Sequence, residues 1–268
     1  MIAVATSETV SASEGFNAPG PSSFELPPVF HIGDLGVTKP MLLIVLSAVI
    51  IIAVAVVMSR KAEVVPGRLQ FAGEYVYGFV RNSVARDNIG SEHFMKFVPY
   101  LFALFLFVLV NNYFGVIPFI EFPTMSRIGY VIALAAITWF VYNIVGIIKH
   151  GPWGYLKLQT VPGGMKGPIL LLLVPLEFFS NILVRPVTLT LRLFGNMFAG
   201  HLLLILFSTG GAYLILDAGN PFYGAVGVVS FLLGIAVSFL EMLVMFLQAY
   251  VFTLLTAMYI GGALVDEH

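Results

Sequence analysis

PILLLLVPLEFFSNILVRPVTLTLRLFGNMFAGHLLLILFS, residues 168–208, and PFYGAVGVVSFLLGIAVSFLEMLVMFLQAYVFTLLTAMYIGGAL, residues 221–264, decide the fold. As continuous helices at ~1.5 Å per residue each would reach roughly 60 Å, twice the ~30 Å of a bilayer's hydrocarbon core. Each run must therefore double back as a hairpin or lie steeply inclined. A helical hairpin needs a turn with Gly, Asn or Pro chemistry. Arg185-Pro186 offers one candidate in the first run, whereas 235–260 contains neither Gly nor Pro. The sequence thus predicts two unusually long, strongly tilted helices. A mismatch of that size exceeds what lipid accommodates, so a neighbouring protein must hold them over.

The whole chain is of the same character. Its 268 residues are 59% hydrophobic and 10% charged, with a mean hydropathy of +0.97, far from the soluble norm. This composition excludes a soluble enzyme and predicts an all-α integral membrane protein. Zero Cys removes disulfides, iron–sulfur clusters and thiolate metal sites. His31, His93, His150, His201 and His268 are scattered singly, so neither a metal nor another cofactor is expected. A net charge of −1 without a basic tract speaks against nucleic acid. The phosphate-binding pattern GxxxxGK[ST] is absent, so nucleotide chemistry is not expected in this chain.

Working outward, residues 1–38 are Ser-, Pro- and Gly-rich and carry Glu8, Glu14, Glu25 and Asp34, a composition that builds no core of its own. They read as an acidic extracytoplasmic tail. Residues 39–268 read as the membrane domain, with helices at 41–58, 66–90, 97–118, 128–148, 168–208 and 221–264. Five of these are membrane-embedded. The segment 66–90 differs, because Leu69, Ala72, Val76, Val80 and Val84 recur at helical spacing among charged residues, the pattern of an amphipathic helix on the membrane surface. Lys and Arg crowd 59–96 and 149–168 (Arg60, Lys61, Arg68, Arg81, Arg86, Lys96, Lys149, Lys157, Lys166), leaving Lys39 and Arg127 on the other side. The positive-inside rule then puts the N-terminus outside and the C-terminus in the cytoplasm.

With loop and tail charges set aside, Glu177, Arg185, Arg192 and Glu241 remain, with titratable His201 and polar Asn196 and Gln248, all on the two overlong helices. An ionised side chain at bilayer depth costs at least ~2.5–3.5 kcal/mol, so such a set points to ion translocation. An ion-pair network that merely fixes helix geometry is the alternative, and for Arg185 snorkelling to the cytoplasmic interface accounts for the charge equally well. Asn196 lies one turn from Arg192 on its face, while His201, nine residues on, is rotated by about 180° and displaced by ~13 Å. Glu241 and Gln248 are seven apart and share a face. Gly195, Ala199 and Gly200 form a small-residue surface that admits a second helix, whether foreign or the chain's own. If Arg192 and Gln248 face each other in antiparallel helices, His201 falls opposite position 239, close to Glu241, and Glu177 opposite position 263. A proton-coupled secondary transporter is the competing class, but its repeated halves and broken midplane helices are missing from the sequence. A purely structural scaffold is a third.

The run Leu191-Arg192-Leu193-Phe194-Gly195-Asn196-Met197-Phe198-Ala199-Gly200-His201, with Glu241 and Leu247-Gln248-Ala249-Tyr250-Val251-Phe252, resembles the core motif of subunit a of F-type ATP synthases, the stator part of the Fo proton channel. The order of tail, span, surface helix, two spans and two long helices is similar over nearly the whole chain. Phe178-Phe179-Ser180-Asn181 and Val184-Arg185-Pro186 are similar in style to actinobacterial members. The resemblance implies a non-catalytic, proton-translocating subunit of a bacterial plasma membrane. Its partners would be c-ring subunits, b-type peripheral-stalk subunits and the rest of the complex. It further implies that Arg192 faces the carboxylate of each c-ring subunit, across an interface with Gly195, Ala199 and Gly200. His201 and Glu241, with Asn196 and Gln248, would line an outer half-channel, and Glu177 with Asn181 an inner one. In some members the acid occupies the first of the outer pair's positions and the histidine the second; here the order is reversed.

Overall fold

A segment that crosses lipid must satisfy its own backbone, which for single spans means helix. The computed structural model describes residues 16, 18–24, 26–33, 35–60, 67–118, 120–161, 170–216 and 221–265. A short antiparallel hairpin, β1 (Pro28–Ile32) and β2 (Leu35–Thr38), leads into α1 (Lys39–Arg60). Then come α2 (Arg68–Phe79), α3 (Asp87–Ile89), α4 (Val98–Tyr113), α5 (Ile128–Thr160), α6 (Leu170–Phe179), α7 (Arg185–Leu216) and α8 (Pro221–Leu264). Lys39–Val57, Ile128–Thr160, Leu172–Leu216 and Pro221–Leu264 are each long and apolar enough to cross a membrane, and Val98–Tyr113 is a shorter apolar helix. The protein is an all-α membrane protein. The hairpin alternative for the two long runs is not adopted. Helix α8 is continuous over 44 residues, and α6 passes into α7 through a π-helical turn at Ser180–Val184.

That π turn has a local cause. Pro186 lacks an N–H, so neither the α-type acceptor four residues back, Ile182, nor the π-type acceptor five back, Asn181, is served by it. Two α5 side chains fill the gap: Trp139 Nε1 donates to the Ile182 carbonyl at 3.0 Å and the Tyr142 hydroxyl to the Asn181 carbonyl at 3.4 Å. The bend is thus tied to a neighbouring helix.

Helices α7 and α8 run antiparallel, and small residues set their separation. Gly227 lies so near α7 that a Cβ there would come within 2.9 Å of the Gly211 carbonyl oxygen, while a Cβ at Gly234 would meet the Phe207 Cβ at 3.3 Å. Ser230 donates to the Phe207 carbonyl at 3.0 Å. Leu189, Leu193, Met197 and His201 form the buried stripe of α7, and Met245, Ala249, Phe252 and Ile260 belong to that of α8. Against them pack Val98, Leu101, Phe105 and Val108 of α4, making one continuous core.

Three segments differ from the sequence expectation. The surface helix over 66–90 is broken: α2 enters a π turn at Val80–Arg86 and ends at α3, capped by Gly90 at φ 90°. Its second half turns its apolar face into the protein rather than to lipid, because Val80, Val84, Ala85 and Ile89 are buried in the core while Arg81, Asn82, Ser83, Arg86 and Asp87 stay exposed. The span over 128–148 continues into a second helical piece. Gly151 (φ 72°) reverses the backbone and Pro152 restarts the helix, folding Tyr155 onto Gly146, where a Cβ would lie 2.1 Å from the ring. Residues 16–38 are not a detached tail either. Phe24 is buried beside Leu43, Phe114 and Phe122, and Arg127 holds its carbonyl through Nε at 3.3 Å and Nη2 at 2.9 Å. A segment too polar to build a core borrows that of the membrane domain. The acidic residues Glu8, Glu14, Glu25 and Asp34, with Lys61, Lys166 and His268, lie outside the described residues.

Gly261 marks the tightest approach of α8 to α3: a Cβ there would lie 2.0 Å from the Asn88 carbonyl oxygen. Main chain cannot rotate away as a side chain can. Gly261→Ala is expected to destabilise the fold by ~1–3 kcal/mol through overpacking, read as a lower thermal midpoint of the purified protein in detergent. The neighbouring Gly262→Ala, with nothing within 4 Å, should leave that midpoint in place.

Candidate functional site

Arg192 lies three residues after buried Leu189 and one before buried Leu193, off the buried stripe of α7, so the helix turns it outward. It is exposed, on a face with exposed Leu191, Ala199, Leu203 and Leu206. Among the described residues no carboxylate comes within ion-pair distance of its guanidinium. Tyr259 of α8 lies near enough for Arg192 to act on it electrostatically, as Arg185 does. A permanent cation thus stands on an apolar face without an acid from its own chain.

The small residues near it divide. Gly195 has nothing within 4 Å of its Cβ position and Ala199 is exposed, so both open the Arg192 face. Gly200 looks elsewhere, since five residues rotate a helix by about 140° from Gly195. A Cβ at Gly200 would meet Glu241 Oε1 at 3.0 Å and Cδ at 3.2 Å. Its small size makes room for the chain's own acid, which corrects the grouping of all three as one outward surface.

His201 and Glu241 are 8% and 4% exposed. Glu241 packs on the residue that precedes His201, the neighbourhood that the antiparallel register requires. His201 Nδ1 and both Glu241 oxygens are buried without a hydrogen-bond partner. Polar atoms so placed call for a proton or water to bridge them. A cavity of about 650 Å³ reaches His201, and Phe24, Lys39, Glu121, Ser208 and Ser238 also line it. Phe24 lies over the imidazole with ring centroids 5.8 Å apart. Asn112 of α4 adds to this side: its Nδ2 donates to the Met245 carbonyl at 3.3 Å, and its Oδ1 is buried and unpartnered. Asn196 is half-buried and Gln248 buried.

A second polar assembly lies toward the other end of the helices. Asn181 Nδ2 donates to Glu177 Oε2 at 3.1 Å and to the Gln159 carbonyl at 2.6 Å. Gln159 Nε2 donates to the Tyr155 hydroxyl at 2.8 Å, and that hydroxyl to Asn143 Oδ1 at 3.2 Å. Arg185 lies over the Tyr259 ring at 5.2 Å from its centroid, and the Tyr259 and Tyr142 rings are 5.5 Å apart. Arg185 therefore rests on α8. Lys149 donates to the Leu264 carbonyl at the end of α8.

Of the residues sequence reasoning singled out, Glu177 and Asn181 are joined by a hydrogen bond, Glu241 packs on Gly200 beside His201 in the chain, Arg192 is exposed, and Asn196 and Gln248 are half-buried and buried. It missed Phe24, Asn112, Glu121, Asn143, Tyr155 and Gln159. Among described residues, no group of three or more His, Cys, Asp or Glu could hold a metal.

A family model for the ATP synthase A chain matches residues 41–261. ATP synthase subunit a of Nocardioides sp. (strain ATCC BAA-499 / JS614) is 60% identical over 265 residues, covering 95% of each chain. That of Paenarthrobacter aurescens (strain TC1) is 48% identical over 270 residues, covering 100% of each. That of Streptomyces lividans is 40% identical over 256 residues, covering 95% of this chain and 90% of its own.

The bond from Trp139 to the Ile182 carbonyl yields a test of the bend beneath Arg192. Trp139→Phe leaves that carbonyl unserved and should cost ~1–3 kcal/mol. Pro186→Ala restores a backbone N–H, so the double variant is expected to melt above Trp139→Phe alone; a double-mutant cycle of thermal midpoints in detergent reads the coupling.

Proposed function

This chain belongs to the ATP synthase A chain family, and from that premise we propose how its residues serve as the proton-translocating stator subunit of the Fo sector. It is a multi-pass bacterial membrane protein and a part of the F-type ATP synthase complex. In our reading Arg192 faces the acidic carboxylates of a rotating c-ring, and b-type peripheral-stalk subunits hold the stator in place. The N-terminus lies outside and the C-terminus in the cytoplasm, in keeping with the placement of Lys and Arg. The one observation that carries this proposal is the exposed Arg192 guanidinium on an apolar face, with separate buried polar assemblies to either side of it along α7.

Protons reach the cavity from outside and pass to His201 and Glu241, whose unpartnered atoms lie together by Gly200. Protonation at this level neutralises a ring carboxylate, which can then face lipid because its charged form no longer has to be desolvated. After rotation it releases its proton to the inner path, where Glu177, Asn181 and Gln159 are joined by hydrogen bonds. The resulting carboxylate is drawn to Arg192, which cannot deprotonate and whose charge repels a proton slipping directly between the paths. Asn196 and Gln248 flank that exchange. The driving force amounts to ~2.3 kcal/mol per charge per 100 mV. The transporter alternative finds no support from the family, and α8 runs unbroken where such a carrier would have a gap.

Arg192→Ala is expected to abolish proton-driven ATP synthesis in membrane vesicles while the complex still assembles; normal synthesis would refute the role. Arg192→Lys should lose about tenfold or more, ~1.4 kcal/mol, because a buried ammonium can deprotonate and lacks the planar fork. His201→Ala combined with Glu241→Gln should slow proton uptake, and unchanged passive flux after removal of the soluble sector takes the pair out of the path.

A further inference from the structure

We infer that Glu121 is a third proton-handling residue of the outer path, collecting protons from the cavity and delivering them to His201. The inference rests on the reading of His201 and Glu241 as that path. Glu121 and His201 line the same cavity, and Glu121 meets the imidazole twice, through a main-chain hydrogen bond and through the charge of its carboxylate. His201 Nδ1, buried and unpartnered, is an open acceptor. The Phe24 ring closes one flank of the imidazole, and Arg127 pins Phe24 there by its carbonyl. On the cavity side Glu121 is exposed.

The backbone supports this. Glu121 has φ 43°, the one positive φ at a non-glycine among the described residues. A side chain is disfavoured in that conformation, and glycine would fit it freely. The surroundings enforce it: Glu121 N–H donates to the Ile117 carbonyl at 3.0 Å and Phe122 N–H to the Phe114 carbonyl at 3.2 Å. Phe122 is buried in the cluster that holds Phe24. A strained residue that over-determined neighbours hold at a cavity wall points to a task for its side chain. Lys39 lines the same cavity.

The step is a balanced relay. The carboxylate takes a proton from a hydronium ion in the cavity, leaving water, and returns to carboxylate when the proton passes through water to His201. Only O–H and N–H bonds change.

The test uses the assembled ATP synthase in membrane vesicles, with passive proton flux measured after the soluble sector is stripped and assembly checked in parallel. Glu121→Gln should lower flux several-fold with assembly unchanged, and Glu121→Asp should retain most of it. Because the chain has no cysteine, Glu121→Cys gives this subunit a single thiol. Its thiolate displaces methanesulfinate from a methanethiosulfonate, forming a mixed disulfide. The carboxyethyl reagent should then restore flux and the ethyl reagent should not, with the unsubstituted complex controlling for thiols elsewhere. Wild-type flux in Glu121→Gln, or equal effects of the two reagents, overturns this inference alone if His201→Ala and Glu241→Gln still slow the flux. If those two also leave flux intact, the outer-path reading fails and takes this inference with it.

Discussion

A guanidinium that stays charged at any accessible pH stands exposed on the apolar face of α7, without an acid beside it among the described residues. Every other feature of the site is arranged around that charge. Placed in lipid alone it would be unfavourable. The helix keeps the cation apart from the chain's own acids by rotation and by distance. Leu189, Leu193, Met197 and His201 turn inward while Arg192 turns out, and Glu177 is tied down by Asn181.

Two helix-distorting devices make the arrangement possible. Pro186 and its π turn bend the polypeptide between Glu177 and Arg192, and the freed carbonyls go to Trp139 and Tyr142 of α5, so the bend is anchored rather than slack. Glycines then set the depth of contact. Gly200 receives the Glu241 carboxyl, Gly211 and Gly227 bring the outer halves of α7 and α8 together, and Gly146 receives Tyr155. The register of α7 against α8 is thus fixed by shape from Gly200 and Glu241 to Gly211 and Gly227.

The long helices, the charges on them and their register were legible because period, length and residue type carry that information directly. An apolar run from 221 to 264 with Glu241 and Gln248 on one face permits few readings. The inner network was not legible in full, because Tyr155 and Gln159 reach Asn143 and Asn181 only after the reversal at Gly151, which a Gly-Pro pair signals without saying where the chain goes next. The burial of Val80 and Val84 was missed for a related reason. Their spacing marks an apolar face, but a face turned to lipid and one turned to α4 and α8 share the same pattern.

The least legible part is the outer wall, and its composition explains why. Phe24, Lys39, Glu121 and His201 come from four places in the chain, and none belongs to a periodic pattern that includes the others. They meet because Arg127, the one cation of a loop that also carries Glu121, finds its acceptor in the main chain at Phe24 rather than in that acid. A bond to backbone carries no signature in the partner's identity, so it cannot be read from residue types. Yet it decides which flank of His201 is covered by an aromatic ring and which is open to the cavity. Access to the buried acid–histidine pair is therefore set by a segment whose polar composition gave no reason to place it inside the protein at all.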